Sequence, residues 1–283
     1  MTEILIPNPQ DFDQKLKKII AWWADLFHVI ADFDRTLTKA FIDGKQNTSL
    51  VSVIQEQWYL WIDFTEQSRK NFDKYHPIEI DPNVSLEEKK KAMTERWKVQ
   101  FELIIKSWLS RDIIKDVIMN EKISFRSWYE DFFDMLYKSN IPLIILSASG
   151  LGYDSIYYAF EKIHKLYANI DIISNTFIRD EAGKAIAVRE PIVHSFNKDE
   201  TVVKDLPIYQ EVKDRKNIIL LGDSLGDVGM ADGFDYETII KIWFLNHDTP
   251  ENREKYQEAF DLLILNDGPL DEVNKLLRSI IKS

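Results

Sequence analysis

The 283-residue chain carries 36 Lys and Arg against 47 Asp and Glu, a formal charge of -11, and contains no cysteine. Its field repels polyanions, so neither a nucleic-acid polymer nor an anionic membrane surface is expected as a partner; disulfides, thiolate metal ligands and cysteine nucleophiles are excluded together. The length allows two domains or one domain with a large insertion, and without a leader-like N-terminus or a membrane-length apolar run a soluble cytoplasmic protein is expected.

In chain order, the first strand is expected at Phe27 to Phe33, an apolar run that ends in Asp32 and Asp34. Two carboxylates so close raise one another's proton affinity unless a cation or hydrogen bonds intervene, which points to a metal, a phosphate reaction, or both. From about Gly44 to Asn140 the pattern becomes helical. Leu50, Val51, Ile54, Trp58, Trp61 and Ile62 recur at helical spacing, and "SLEE" places Ser85 and Glu88 as a capping box opening a helix through Trp97 and Phe101 toward Trp108. Further helical runs follow at Ile113 to Ile118 and Ser127 to Tyr137. Trp58, Trp61, Trp97 and Trp108 follow helical faces and read as core packing before a base-stacking platform.

Later strands are expected at Pro142 to Ser147, Asp171 to Ser174, Asn217 to Gly222, Thr238 to Phe244 and Asp261 to Leu265, with a small hairpin around Asp180 to Gly183. Continuous apolar runs of this kind suit strands covered on both faces. The reading is an α/β fold: a doubly wound, Rossmann-like parallel-sheet core from residues 1–43 and 141–283, with a mainly helical cap at 44–140 inserted after the first core strand.

Ligands of open α/β sheets collect beyond the carboxyl ends of the strands. Four such ends carry polar clusters: "DFDRT" (Asp32 to Thr36), "LSASG" (Leu146 to Gly150), "FNKDE" (Phe196 to Glu200, after a less regular strand) and "LLGDSLGD" (Leu220 to Asp227). In this order they resemble the haloacid dehalogenase-like phosphohydrolase superfamily, matched by Asp32, Asp34 and Thr36, then Ser147, then Lys198, then Asp223 with Asp227. The resemblance implies an aspartyl-phosphate mechanism. Asp32 is the expected nucleophile, and Asp34 the acid for the leaving group and later the base for water. Lys198 is expected to neutralise phosphate, while Ser147 and the backbone N–H groups of Ala148 and Ser149 bind its oxygens. Mg²⁺ suits Asp32, the Asp34 carbonyl and Asp223, with Asp227 orienting a metal-bound water or Lys198. Thr36 is expected to close the first loop by hydrogen bonding.

A closer resemblance extends from about Phe27 almost to the C-terminus. "ADFDRTLTKAF", "KYHPIEIDP", "FNK", "LLGDSLGDVGMADG" and "WFLN…REKYQEAFDLLILND" are similar to the cytosolic 5'-nucleotidase III, or pyrimidine 5'-nucleotidase, family. This implies magnesium-dependent removal of the 5'-phosphate from nucleoside monophosphates, mostly pyrimidine ones, with Glu79 of the cap contacting the base and His76 beside it. The family's phosphate loop appears here with Ser149 in place of glycine, and Gln100 stands where a cap serine is expected, so base preference is left open, as are 7-methylguanylate hydrolysis, phosphotransfer and oligomeric state. The alternatives are a phosphatase of another small phosphorylated metabolite and a non-catalytic nucleotide-binding protein. "GDSL" at Gly222 to Leu225 invites a serine esterase with Ser224 as nucleophile, but no Asp-x-x-His follows it. A dehalogenase has no use for Asp34, and a receiver module would occupy less than half of the chain.

Overall fold

The computed structural model describes residues 2–21, 26–47, 51, 54, 62–81, 83–120, 123–199 and 202–281. In chain order the elements are β1 (Ile4–Leu5), α1 (Pro9–Ala21), β2 (Phe27–Ala31), the hairpin β3 (Phe41–Ile42) and β4 (Lys45–Gln46), α2 (Ile62–Ile80), α3 (Leu86–Lys106), α4 (Arg111–Asn120) and α5 (Tyr129–Lys138). There follow β5 (Leu143–Ser147), α6 (Gly152–Lys162), β6 (Ile170–Ser174), the hairpin β7 (Phe177–Arg179) and β8 (Ala185–Val188), α7 (Pro207–Val212) and β9 (Asn217–Gly222). A 3₁₀ turn (Leu225–Ala231), β10 (Thr238–Leu245), α8 (Pro250–Gln257), β11 (Leu262–Leu265) and α9 (Asp271–Ile281) complete the described chain.

Seven strands form one sheet in the order β1-β11-β10-β9-β2-β5-β6. Every pairing in it is parallel except that of β1 with β11. The strands β2, β5 and β9 are buried along their whole length, which is why their sequences read as unbroken apolar runs. Their side chains alternate between two cores: Val29, Ala31, Ile145 and Ile219 face one cluster, while Ile30, Ile144, Leu146 and Leu220 face the other. The chain winds outward in both directions from central β2, through β5 and β6 on one side and β9, β10 and β11 on the other. That reversal opens a crevice at the carboxyl end of β2, where Asp32 and Asp34 emerge.

Helices α2 and α3 pack against each other, and α3 opens with the expected capping box: the Glu88 N–H donates to Ser85 Oγ, and the Ser85 N–H to the Glu88 carboxylate, both at 3.3 Å. Helix α4 packs on α6, and α5 contacts α9; its Phe132, Phe133 and Leu136 are buried in the same cluster as Val29. The hairpin expected around Asp180 is β7–β8. Three expectations are corrected. No strand leads directly into "FNKDE" among the described residues: β8, the strand before it, ends at Val188, and Lys198 lies on an irregular segment. Trp108 is 59% exposed rather than packed in a core, with the Lys184 ammonium 5.3 Å above its ring. Trp97 only partly packs against the core, keeping a face toward solvent. Leu50, Trp58, Trp61 and Glu200 fall outside the described residues.

His28, in the middle of buried β2, has its ring pushed to a pKa of about 3 by burial and the nearby Arg215 charge. The unfolded chain therefore takes up a proton near pH 6.5 that the folded chain refuses, so stability falls as pH drops from 6.5 toward 3. Urea unfolding of His28→Leu is expected to show the variant gaining on the parent protein throughout that window; a difference independent of pH would contradict this.

Candidate active site

The loop after β2 is held in an unusual conformation by two residues far apart in sequence. Asp32 still donates its N–H to the Leu221 carbonyl at 3.0 Å, but Arg35 then turns left-handed, with φ at 60°. For a residue with a Cβ this costs roughly 1–2 kcal/mol. Thr38 compensates locally, its Oγ1 accepting the Arg35 N–H at 2.9 Å and donating to the Phe33 carbonyl at 3.3 Å. Thr38, not Thr36, closes the loop: Thr36 is buried, and its hydroxyl has no hydrogen-bond partner among the described residues.

Arg126 secures the loop from beneath. Its side chain is completely buried. It donates from Nε to the Thr36 carbonyl at 2.7 Å, from Nη1 to Asp267 at 2.9 Å and the Gly268 carbonyl at 2.7 Å, and from Nη2 to Asn246 Oδ1 at 2.7 Å and the Arg35 carbonyl. Its guanidinium also lies 3.9 Å from the Phe244 ring centre. Asn246 then reaches the Arg35 carbonyl at 3.1 Å and Asp223 at 3.4 Å. One buried cation thus ties the end of β2 to the segments after β10 and β11.

Above this base, the carboxylate oxygens of Asp32, Asp223 and Asp227 come within 4.8 Å of one another. Lys198 Nζ donates to Asp32 Oδ1 at 2.5 Å and to Asp227 Oδ1 at 2.9 Å. The loop carrying Lys198 is shaped by two amides: Asn197 Oδ1 takes the His194 N–H and its Nδ2 reaches the Ile192 carbonyl, both at 2.7 Å, while Asn175 brackets Val193. Burial opposes the Lys198 charge, but Asp227 and Asp32 outweigh it and raise its pKa. Burial pushes Asp32 well above the usual carboxylate range; Lys198 pulls it down, but Asp227, Asp223 and Asp34 push it up further. Burial and Asp227 push Asp223 up to about 7. Asp34 keeps an exposed face toward the cleft, yet the surrounding protein raises its carboxyl against the pull of Lys198 and Arg35.

This all-oxygen donor set fits a hard divalent cation. Asp227 is the most committed of the three: its Oδ1 holds Lys198, and its Oδ2 accepts the Ser224 hydroxyl at 2.8 Å and the Ser224 N–H at 3.0 Å. Asp32 and Asp223 keep more lone pairs for a metal. Ser224 is thereby a capping residue; His247 lies against Phe41, so no histidine pairs with that hydroxyl.

Asp32, Asp34, Ser147, Ala148, Lys198, Asp223 and Asp227 all line one cleft of ≈ 290 Å³. Ser149 turns away, its N–H donating to Ser147 Oγ and its hydroxyl meeting Ser155, both at 3.2 Å. A second cleft, ≈ 580 Å³, shares Asp34 and Ala148 with the first and rises between the segment Ala148 to Gly150 and α2–α3, past Phe72, Arg96, Trp97 and Gln100. The cap approaches closely there: a Cβ on Gly150 would lie 2.6 Å from Val51 and 3.2 Å from Trp97. Glu79 is outside the lining of both clefts, bound by Arg96 at 2.8 Å, His76 at 3.5 Å and the Ser195 hydroxyl at 3.4 Å. Sequence reasoning missed Arg126, Asn246, Asn175, Asn197, Thr38 and Arg96.

Comparison with known proteins agrees with this geometry. The family model for pyrimidine 5'-nucleotidase (UMPH-1) matches residues 35–281. A 7-methylguanosine phosphate-specific 5'-nucleotidase of Gallus gallus is 34% identical over 279 residues, covering 98% of this chain and 96% of the relative; its Homo sapiens counterpart is 33% identical, covering 91% and 85%. The crystal structure of cytosolic 5'-nucleotidase IIIB bound to cytidine superposes with a TM-score of 0.89 at 29% identity, covering 99% of this chain and 94% of that one. The largely parallel sheet and these neighbours place the chain in the haloacid dehalogenase-like fold.

Replacing Arg126 removes five bonds and leaves the Asp267 carboxylate without its cation, held among the described residues only by the Ala40 and Phe41 N–H groups. Arg126→Met is expected to lower unfolding free energy by about 3–5 kcal/mol, measured by urea denaturation, with Arg126→Lys intermediate. A change within experimental error for the Met variant would remove Arg126 from this supporting role.

Proposed function

The chain belongs to the pyrimidine 5'-nucleotidase family, whose members are phosphoric monoester hydrolases, and we propose that it hydrolyses nucleoside 5'-monophosphates, pyrimidine ones foremost, with magnesium and an aspartyl-phosphate at Asp32. The observation that carries this reading is the buried Lys198 held between Asp32 and Asp227, in a cleft continuous with a second one large enough for a nucleoside. The substrate is a small molecule and the setting cytoplasmic. No helix among the described residues is long and apolar enough to cross a membrane.

A phosphate monoester is anionic and slow to hydrolyse, so catalysis rests on neutralising charge and aligning a nucleophile. Lys198 engages Asp32 through Oδ1 alone, which leaves Oδ2 to attack phosphorus. As that bond forms, the bond from phosphorus to the ester oxygen breaks, and Asp34, whose raised pKa favours a bound proton, transfers that proton to the departing 5'-oxygen. Water then attacks the aspartyl phosphate, giving its proton to Asp34 and restoring Asp32. Ser147, the Ala148 backbone N–H and Lys198 hold the phosphate oxygens, while the Ser149 N–H stays with Ser147 Oγ. Asp32, the Asp34 carbonyl and Asp223 would hold magnesium, which would supply positive charge to offset phosphate and carboxylates, and Asp227 keeps Lys198 and its own turn in place. Residues 44–140 act as the cap, with α2 and α3 over the nucleoside, and Glu79 acts from the cap side.

Phosphate release from a panel of nucleotides and sugar phosphates, with and without magnesium, is the test. Turnover is expected with nucleoside monophosphates, suppressed by chelation. Asp32→Asn is expected to lower kcat by at least about 10³-fold with an unchanged circular dichroism spectrum; near-native turnover by this variant would overturn the nucleophile assignment.

A further inference from the structure

Among the described residues, the amide and cationic side chains lining the second cleft offer a substrate hydrogen-bond donors. Gln100 is oriented by its neighbours: Asn71 Nδ2 donates to the Arg96 carbonyl at 3.0 Å, which identifies that atom as the amide nitrogen, and the same nitrogen lies 3.5 Å from Gln100 Oε1. The Ser68 hydroxyl donates to the same Oε1 at 3.1 Å. With its carbonyl so occupied, Gln100 has only its NH₂ group to present to the cleft it lines.

Arg96 enters the same cleft with its guanidinium 5.2 Å from the Phe72 ring centre and 5.7 Å from that of Trp97. Its Nη1 is bound to Glu79, leaving Nε and Nη2 as further donors. Glu79 is the carboxylate that could have accepted a base amine, but Arg96, His76 and Ser195 engage both of its oxygens. Exposed Arg69 adds a second guanidinium to the lining. Among the described residues lining this cleft the one carboxylate is Asp34, which belongs to the end where the two clefts meet.

Resting on the nucleotidase reading, we propose that Gln100 and Arg96 make this cleft selective for neutral bases bearing an oxo group at pyrimidine C4 or purine C6. Such a base enters the cleft that Phe72 and Trp97 line and accepts from the Gln100 amide and the Arg96 guanidinium, which already lies over both rings. An amino group at the same position confronts donors with a donor and leaves both unpaired. A 7-methylguanine ring carries positive charge and meets Arg69 and Arg96 at close range, so it is disfavoured relative to guanine. Glu79 acts here by holding Arg96, not by touching the base.

The test is the ratio of kcat/KM for uridylate over cytidylate, and for guanylate over adenylate and over 7-methylguanylate, at saturating magnesium. Each ratio is internal to one protein, so partial misfolding of a variant cancels. Ratios of about 10 or more are expected in the parent protein. Gln100→Glu replaces the NH₂ donor with an acceptor and is expected to shift the uridylate-to-cytidylate ratio at least tenfold toward cytidylate. Arg96→Met releases Glu79 and is expected to move it the same way. A parent ratio of one or below, or a ratio unmoved by both substitutions, overturns the proposal while leaving the nucleotidase reading intact. Hydrolysis of other phosphate esters with none of any nucleotide overturns both.

Discussion

The structure turns on the crowding of carboxylates around a single buried ammonium. Asp32, Asp223 and Asp227 bring their oxygens within 4.8 Å of one another, and Lys198 contacts two of them. One lysine cannot balance that charge in a site mostly withdrawn from water, which is why Asp32 and Asp223 hold protons more tightly than ordinary carboxylates. In the proposed reaction a divalent cation would offset this charge, and the substrate's phosphate would be neutralised by that cation and Lys198 together. The cluster is costly to assemble alone, so the fold around it must be rigid.

That rigidity comes from the sheet and from Arg126. Burial of β2 on both faces fixes where its carboxyl end lies, and parallel pairing with β5 and β9 brings Ser147 and Asp223 to the same edge. The left-handed Arg35 turn between Asp34 and Thr36 would relax if left unsupported. Arg126 prevents this by gripping the Arg35 and Thr36 carbonyls together with Asn246, which in turn reaches Asp223. The loop after β2 and the acidic turn after β9 are therefore parts of one hydrogen-bonded unit.

The sequence made the strands legible because strands covered on both faces must be continuously apolar, and it made Asp32, Asp34, Asp223 and Asp227 legible because polar residues directly after such strands face the crevice. Lys198 was recognisable as a motif residue, but not its setting: asparagine side chains rather than a strand shape its loop, and they leave no periodicity. Arg126 was invisible for a related reason. Its partners are mostly backbone carbonyls, one of them 90 residues away, and no residue pattern records them. Trp97 and Arg96 sit on a helix whose spacing resembles any packed face, yet they share a cleft with Ala148, Ser149 and Gly150. The engagement of Glu79 by Arg96, 17 residues further on, likewise appears only when α2 and α3 are folded together.

The account depends on covalent capture of the phosphoryl group by the first aspartate of the cluster. Rapid acid quench of the protein during turnover of a nucleoside monophosphate, followed by peptide mass spectrometry, addresses this directly. A phosphoryl group carried by the peptide on Asp32 is the predicted result. A peptide free of phosphate throughout a rapid time course that captures the approach to steady state, or phosphate attached to a different residue, would contradict it.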